Sequence, residues 1–470
     1  MKKTKIVATI GPATESVEML TKLLEAGMNV MRLNFSHGDF LEHQNRVDNL
    51  RVVMKKTGQV CAILQDLGGP KIRIGDFSTD SIVLKEGEKF TLTTEDVIGN
   101  ENIVSVNYSL LPKEVKRGHF IFLHDGKKKL EVMKVDGKRV ECKVIVGGEM
   151  RGRRGVNLPN STLSIKSLSD KDIRDLEFGL KNDVEFFALS FVRSPEDITD
   201  LRKILNKRKS QAGIIAKIET PQALENIDEI IKLSDGIMVA RGDLAIEVPF
   251  EKVPSIQKMI IGKCNSSGKP VITATHMLES MIKSPIATRA EVSDVANAIL
   301  DGTDAVMLSG ETTLGQYPLE AVTVMSHVAG EIEGSYPNRQ IVRVGKDGET
   351  DTSDSLTSSI VKTAHDIGAK VIIALTDSGF TARMISRHRP HPPILALTPN
   401  KKTAVKLSLV SGCISITVDR YETLEDVFKI VRKEVQENNL AKKGDKVVIA
   451  AGVPFGTKGL STNLMVVQII

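Results

Sequence analysis

GIIAKIET at residues 213–220 and GIMVARGDL at 236–244 decide the fold of this chain. Each is a short, unbroken apolar run that stops abruptly at charged residues. Runs of this kind are buried on both faces, as strands of a parallel sheet covered by helices are. Lys217 and Glu219 stand where the first strand ends, Arg241 and Asp243 where the second ends. One ammonium beside carboxylates at neighbouring strand ends suits a magnesium ion facing a phosphate, because Mg²⁺ takes one or two carboxylates plus phosphate oxygens. The same residues also fit a pair of ordinary strand-end ion pairs, which are common in folded proteins.

Outward from that pair, strands and helices alternate. Upstream come strand Lys5–Ile10, a helix opened by Ser16 and stopped by Gly27, strand Asn29–Leu33 and helix Leu41–Lys56. Strand Val60–Leu64 then runs into DLGGPKIR at 66–73. Downstream, helix Ser169–Lys181, strand Val184–Phe191 and helix Pro195–Lys207 precede the central pair, whose spacer is helix Pro221–Leu233. Helix Val253–Ser266, strand Pro270–Thr275, helix Arg289–Leu300 and strand Asp304–Leu308 follow it. Three strands before residue 70 and five after residue 155 predict an α/β chain built on a (β/α)₈ barrel. Chemistry in that fold sits at the C-terminal ends of the strands. The polar residues fall there: Arg32, Asn34, Ser36, Asp66, Ser190, Lys217, Glu219, Asp243, Thr275, Ser309 and Glu311. Each alone is explained as a helix cap or turn residue; their joint placement on one rim points to a site.

Between 74 and 154 the segments are short, alternating and turn-bounded, which predicts an inserted β-rich domain, a small barrel. RGRRG at 151–155 closes it with three guanidiniums, either a solvated basic turn or a phosphate contact. A polar, turn-rich linker is expected at 335–355. Beyond it lies a separate α/β unit with helix Leu356–Ile367, a strand at 371–376, strand Ile394–Leu397, a further strand and helix, and strand Lys446–Ala450. The predicted domains are 1–70 with 155–335 for the barrel, 71–154 for the insert and 350–470 for the C-terminal unit. In that unit Thr376, Ser378, Gly379 and Thr381 occupy a strand-to-helix loop, which makes either an anion nest or a capped loop without a ligand.

Composition narrows the function. Apolar residues make up 41% and charged residues 26% of 470, as expected of a soluble globular protein. A net charge of +5 suits anionic small molecules and falls short of a nucleic-acid-binding composition, and 4% aromatics without tryptophan leave no stacking platform for single strands. Cys61, Cys142, Cys264 and Cys413 are scattered, so neither a zinc cluster nor a disulfide framework is expected. The apolar part of MKKTKIVATIGPATES is too short for a signal peptide, and no run approaches membrane-spanning length. Cytoplasmic residence, without membrane or nucleic-acid partners, is expected.

With MRLNFSHGD (31–39), AKIET (216–220), MVARGDL (238–244), TATHMLESM (273–281) and DAVMLSGET (304–312) read together, the chain resembles the pyruvate kinases, collinearly over essentially its whole length. The resemblance implies a barrel, a β-rich lid after its third strand, a C-terminal effector domain and a homotetramer. It implies phosphoryl transfer from phosphoenolpyruvate to ADP, giving pyruvate and ATP. It places Mg²⁺, replaceable by Mn²⁺, on Glu219 and Asp243, where the metal bridges the substrate's carboxylate, enolate oxygen and phosphoryl group. Lys217 would stabilise charge on the phosphoryl group, Arg32 would grip the phosphate, and the backbone of Ala240, Arg241, Gly242 and Asp243 would hold the carboxylate. Ser190 joins the substrate-binding set. Thr275 would orient the water that protonates the enolate, because a threonine hydroxyl is a poor acid at neutral pH; Ser309 and Glu311 would extend that network. Asn34, His37, Arg73 and Arg154 would contact the nucleotide, Arg154 standing where the family usually has lysine.

Two departures from the family pattern bear on function. Lys71 replaces a glutamate that accompanies a required K⁺ ion, whose ligands match Asn34, Ser36, Asp66 and the backbone of Leu67. A fixed ammonium there implies activity without added K⁺. HDGKKK at 124–129 replaces a common Asp-Asp-Gly, with His124 expected to be a turn residue. His276 in place of a common glutamine is expected to be tolerated. For the loop at Thr376, Ser378, Gly379 and Thr381 the resemblance implies activation by a sugar phosphate or AMP. Two rival expectations remain at this point: another enolate-stabilising barrel, such as an aldolase or phosphomutase, and a barrel that has lost catalysis and senses metabolites.

Overall fold

The computed structural model describes residues 2–336, 352–453 and 462–470. Eight parallel strands close a barrel: β1 (Lys5–Thr9), β2 (Val30–Asn34), β3 (Ala62–Asp66), β4 (Phe186–Leu189), β5 (Gly213–Ile218), β6 (Gly236–Ala240), β7 (Val271–Ala274) and β8 (Ala305–Leu308). Each pairs with its sequence neighbours, and β8 returns to β1 with Lys5 opposite Ala305. Both faces of these strands are buried, as the continuous apolar runs require. Val7, Val30, Leu64, Ile215, Met238, Ile272 and Met307 fill the lumen. The alternate residues, Ile6, Met31, Ile63, Ile214, Ile237, Val271 and Val306, pack against the outer helices.

The helices start where their caps predict. Ser16 accepts the Met19 N–H, and Ser169, Thr288 and Thr423 each form a capping box with the carboxylate three residues on. The expected helix Pro221–Leu233 is instead two, Pro221–Glu225 and Ile227–Leu233. Asn226 breaks it: its side-chain amide donates to Arg193 O at 2.9 Å, tying the bend to the end of β4's loop. The linker expected at 335–355 is narrower. Ser335 ends helix Pro318–Ser335 and residues 352–355 begin helix Thr352–Asp366, while 337–351 lie outside the described residues.

The insert leaves the barrel after β3. It is a curled six-stranded sheet with a two-stranded ribbon, Ser81–Leu84 against Gly148–Arg151. Its own core contains Phe90, Leu92, Ile121, Leu130, Val132 and Val140. The way in and the way out touch at one bridge, Arg73 opposite Gly155. The C-terminal unit has the sheet order β11-β10-β9-β12-β13, where β9 is Val371–Leu375, β10 is Ile394–Thr398, β11 is Cys413–Thr417, β12 is Lys446–Val453 and β13 is Thr462–Ile469. The last strand runs antiparallel at an edge. This unit stoppers the floor of the barrel: Leu409 is fully buried among the lumen side chains.

Glu185, just ahead of β4, accepts the Ile63 N–H at 2.7 Å, and burial pushes its carboxyl up to about 7 from an ordinary 4.5. A carboxyl held above its unfolded value contributes full stability at low pH and loses it as pH rises through about 4.5 to about 7. Glu185→Gln keeps the acceptor and removes the charge. Its stability advantage over the wild type is therefore expected to grow between pH 5 and pH 8, reaching on the order of 1–3 kcal/mol. Calorimetric melting across that range checks this; a pH-independent difference would refute it.

Candidate active site

At the C-terminal rim, β5 delivers Lys217 into a ring of acceptors. Its Nζ lies 2.9 Å from Glu219 Oε1 and 3.3 Å from Asp66 Oδ1, and donates to Ser190 Oγ at 2.7 Å. Ser190 passes a hydrogen bond on to Leu67 O at 2.7 Å. Asp66 is shared with a second cation, since Arg32 Nε donates to its Oδ2 at 2.8 Å and Arg32 Nη1 donates to Thr9 Oγ1 at 2.8 Å. All of these side chains are buried. Burial opposes the Lys217 charge, but Asp66, Glu219 and Asp243 together raise its pKa above the ordinary value. Burial likewise opposes the Asp66 charge, and Lys217 and Arg32 outweigh it, so its pKa falls.

Glu219 is raised by burial and by Asp243 across from it, with Lys217 acting in the opposite sense. Its second oxygen accepts the Phe191 N–H at 2.7 Å, where Phe191 has a left-handed φ of 53°. Gly69 makes this packing possible: at φ +67°, an added Cβ would meet Ser190 and Phe191 at 2.9 Å. Asp243 belongs to a short helix, Arg241–Glu247, that starts as β6 ends. The two carboxylates are hard oxygen donors, and among the described residues no set of three or more His, Cys, Asp or Glu side chains is gathered to hold a metal. That donor chemistry fits a magnesium ion whose remaining ligands are water and substrate oxygens.

Thr275 and His276 follow β7 with φ of 67° and 53°, a conformation that costs a β-branched residue energy and is found where surrounding structure enforces it. The enforcement is visible. Gly242 N–H donates to Thr275 Oγ1 at 2.7 Å, Thr275 Oγ1 donates to Ala274 O at 2.7 Å, and Arg241 Nη2 donates to Thr275 O at 2.8 Å. Arg241 is also paired with Asp294 at 2.7 Å, so its side chain is committed to holding the rim together. Glu311 is committed as well, its oxygens accepting the N–H groups of Leu278 and Ser309. Ser309 Oγ is buried without a hydrogen-bond partner.

Between rim and insert lies a cleft of about 300 Å³, lined among others by Lys71, Arg73, Asp125, Phe191, Asp243 and Glu247. Lys71 stands at its mouth, where burial and the charge of Lys217 lower its pKa while Asp243 and Glu219 act to raise it. His37 is lowered by burial and by Lys71, Arg73 and Arg32, which groups it with the cations expected around a nucleotide. Asn34 Oδ1 accepts the Ser36 N–H at 3.1 Å. In RGRRG, Arg153 forks onto Asp76, whereas Arg154 forms no ion pair among the described residues and its Nε is buried without a partner. His124 is a turn residue at φ 53°, with Asp125 and Gly126 also left-handed, and this tip rests near Ile246 of the barrel.

Glu247 was not among the expected site residues. It accepts from Asn157 Nδ2 at 2.9 Å, tying the strand that leaves the insert to the helix that carries Asp243, and burial pushes it up to about 7. Its signal was its place four residues after Asp243, on the same helical face. Thr9 and Arg193 were also missed. In the C-terminal unit, Thr376 Oγ1 accepts the Gly379 N–H at 2.9 Å and Gly379 has φ 80°, so the expected effector loop has the turn that its residues predict; Ser378 and Thr381 stand beside it.

Comparison with known proteins supplies the deciding observation. The family description "Pyruvate kinase, barrel domain" matches residues 1–322, and "Pyruvate kinase, alpha/beta domain" matches 354–468. The chain belongs to the pyruvate kinase family. It is 45% identical to the pyruvate kinase of Thermotoga maritima over the full length of both chains. It is 46% identical to that of Staphylococcus saprophyticus, covering all of this chain and 81% of the relative. The crystal structure of a pyruvate kinase from Cryptosporidium parvum superposes with a TM-score of 0.95 at 38% identity, covering all of this chain and 96% of that one. Pyruvate kinases are phosphotransferases of glycolysis that use a divalent metal, and membership sets aside both the aldolase-like and the sensor readings. Among the described residues no helix is long and apolar enough to cross a membrane.

Proposed function

We propose that the rim cluster is the phosphoryl-transfer centre, taking phosphoenolpyruvate and ADP to pyruvate and ATP. The observation that carries this is Lys217, buried and charged, set against Glu219 and Asp66 beneath the cleft that Asp243 lines. Glu219 and Asp243 hold Mg²⁺, which when bound neutralises charge on the substrate oxygens. Lys217 meets the negative charge that spreads over the transferring group, and its acceptor ring fixes it in place beforehand. Arg32 presents its guanidinium to the substrate phosphate from a fixed pose on Asp66 and Thr9, with Ser190 completing the wall. The backbone of Ala240, Arg241, Gly242 and Asp243 receives the carboxylate. Thr275, whose proton goes to Ala274 O, orients a water rather than donating to carbon. Asn34, His37, Arg73 and Arg154 take the nucleotide, whose phosphates would meet the unpaired Arg154 guanidinium.

The division into barrel (1–70 and 155–335), lid (71–154) and effector domain (350–470) follows from the same reading, with the lid closing the nucleotide away from water. The monovalent-cation ligands of the family are engaged within the chain here. Asp66 is spanned by Arg32 and Lys217, Leu67 O accepts from Ser190, and Asn34 caps Ser36. Lys71 supplies a fixed positive charge near Asp243 and Glu219, so K⁺ is not required. The loop with Thr376, Ser378, Gly379 and Thr381 binds a sugar phosphate or AMP that activates. A homotetramer is supported by apolar side chains left exposed at Ile286 and Leu314 and along the edge strand at Val467 and Ile469; native mass spectrometry reporting a lone chain would refute it. Cytoplasmic residence accords with this metabolic role.

A lactate-dehydrogenase-coupled assay with phosphoenolpyruvate, ADP and Mg²⁺ tests the activity, and pyruvate formation is expected. Run with sodium salts alone, it is expected to reach nearly the rate seen with KCl at equal ionic strength. A rise of tenfold or more on adding KCl would overturn the role given to Lys71.

A further inference from the structure

The carboxylates of Glu219 and Asp243 are held in different ways. Glu219 accepts from the Phe191 N–H and lies against Lys217. Among the described residues no hydrogen bond reaches the Asp243 side chain, so its place is inherited from the helix Arg241–Glu247. The barrel fixes the first turn of that helix: Gly242 N–H donates to Thr275 Oγ1, and Leu244 is fully buried. The insert holds the last turn. Strand Val156–Asn157 is an edge of its six-stranded sheet, with Asn157 opposite Phe122. From there Asn157 Nδ2 donates to Glu247 Oε1 at 2.9 Å. Among the described residues this is the only hydrogen bond between side chains that joins that sheet to the barrel, and no ion pair joins them. One residue earlier, Ile246 lies against the turn at Gly126, where an added Cβ would come 3.5 Å from its side chain. Asp125, Asn157, Asp243 and Glu247 all line the same cleft. Asp243 and Glu247 are one turn apart, about 6 Å along the axis. A helix this short moves as one piece, so a shift of its last turn reaches Asp243.

We propose that Glu247 is a positioning residue for Asp243, and that its hydrogen bond to Asn157 makes the chain's hold on a divalent cation depend on where the insert rests. This rests on the reading of Glu219 and Asp243 as the metal carboxylates. Groups that orient a metal ligand set about 10–100-fold of the affinity. Asn157 carries no charge and belongs to the insert's sheet, so it acts on the cation through position alone. With the insert resting on the helix, Asp243 is fixed from both ends of the seven residues that carry it. With the bond broken, only the first turn is held, and Glu219 keeps its place while Asp243 does not.

Calorimetric titration of Mn²⁺ into the full chain tests this, beside the ion-free melting temperature of each variant. N157A is expected to weaken Mn²⁺ binding by about tenfold or more, and E247A by as much. E247Q keeps an acceptor for Asn157 and removes the charge, so it stays within about threefold of the wild type. N157D sets two carboxylates against each other and weakens binding. The swap N157D/E247Q, in which donor and acceptor trade places, restores it, and keeps the test open should a single variant fold poorly. In steady-state assays the loss in N157A is expected in the KM for Mg²⁺ more than in kcat, a split that general loosening of the fold does not give. Mn²⁺ binding undiminished in N157A and E247A would overturn the proposal. So would equal losses in E247Q and E247A, which would make Glu247 a source of charge instead of position. D243N separates the proposal from its premise. Binding lost in D243N but kept in N157A and E247A overturns the positioning role alone, whereas binding kept in D243N overturns the metal reading and this proposal with it.

Discussion

Replacing Lys217 with methionine is expected to lower kcat by roughly 10³-fold or more, the scale of losing a preorganised charge from a water-excluded site. Methionine keeps most of the length of the stem and none of the charge. The ammonium it removes is held 2.9 Å from Glu219, 3.3 Å from Asp66 and 2.7 Å from Ser190. Because the acidic neighbours raise its pKa, the loss should be the same at pH 6 and pH 8, which separates it from a shifted titration. Asp66 retains Arg32, so the variant should fold; a steady-state assay beside a melting curve checks both. Turnover within a few-fold of the wild type would leave Lys217 as a structural ion pair.

The pair of substitutions Glu219→Gln and Asp243→Asn is expected to remove activity by a comparable factor, on the order of 10³-fold or more, since a Lewis-acidic metal contributes several kcal/mol to the transition state. The shapes are kept: glutamine still offers an oxygen to the Phe191 N–H. What is lost is the negative charge that gathers a divalent ion. Raising Mg²⁺ tenfold should recover part of the rate in either single variant and little in the double variant, a split that a folding defect would not produce.

Much of the frame was legible because the barrel strands obey a simple rule: an apolar run buried on both faces must end where charge begins. Gly213–Ile218 and Gly236–Ala240 fall where that rule puts them, and helices Pro195–Lys207, Val253–Ser266 and Arg289–Leu300 keep their predicted bounds. Helix Arg241–Glu247 was not legible, because Ala240 offers no capping side chain and the segment is too short to show a period. Glu247 was lost with it. The break at Asn226 depends on a hydrogen bond to Arg193, a partner 33 residues away that local pattern cannot supply. For the same reason the sharing of Asp66 between Arg32 and Lys217, and the use of Glu311 on backbone N–H groups, became visible only once distant strands were set side by side. Rim position marked these residues as polar and clustered; it did not separate those that face a substrate from those that hold the rim.

The strained pair Thr275–His276 connects the two levels. Its left-handed backbone brings Thr275 Oγ1 to within 2.7 Å of the Gly242 N and Thr275 O to within 2.8 Å of Arg241 Nη2, so the loop after β7 and the helix bearing Asp243 are positioned together. The carboxylates proposed to hold the metal are thereby fixed from two sides, Glu219 by Phe191 and Lys217, Asp243 through the helix that Thr275 and Asn157 restrain. Electron paramagnetic resonance of Mn²⁺ titrated into the wild type and into the Glu219→Gln, Asp243→Asn double variant tests that arrangement most directly. One Mn²⁺ bound per wild-type chain and none per variant chain at the same concentration is the predicted result; equal binding by the two proteins would contradict it.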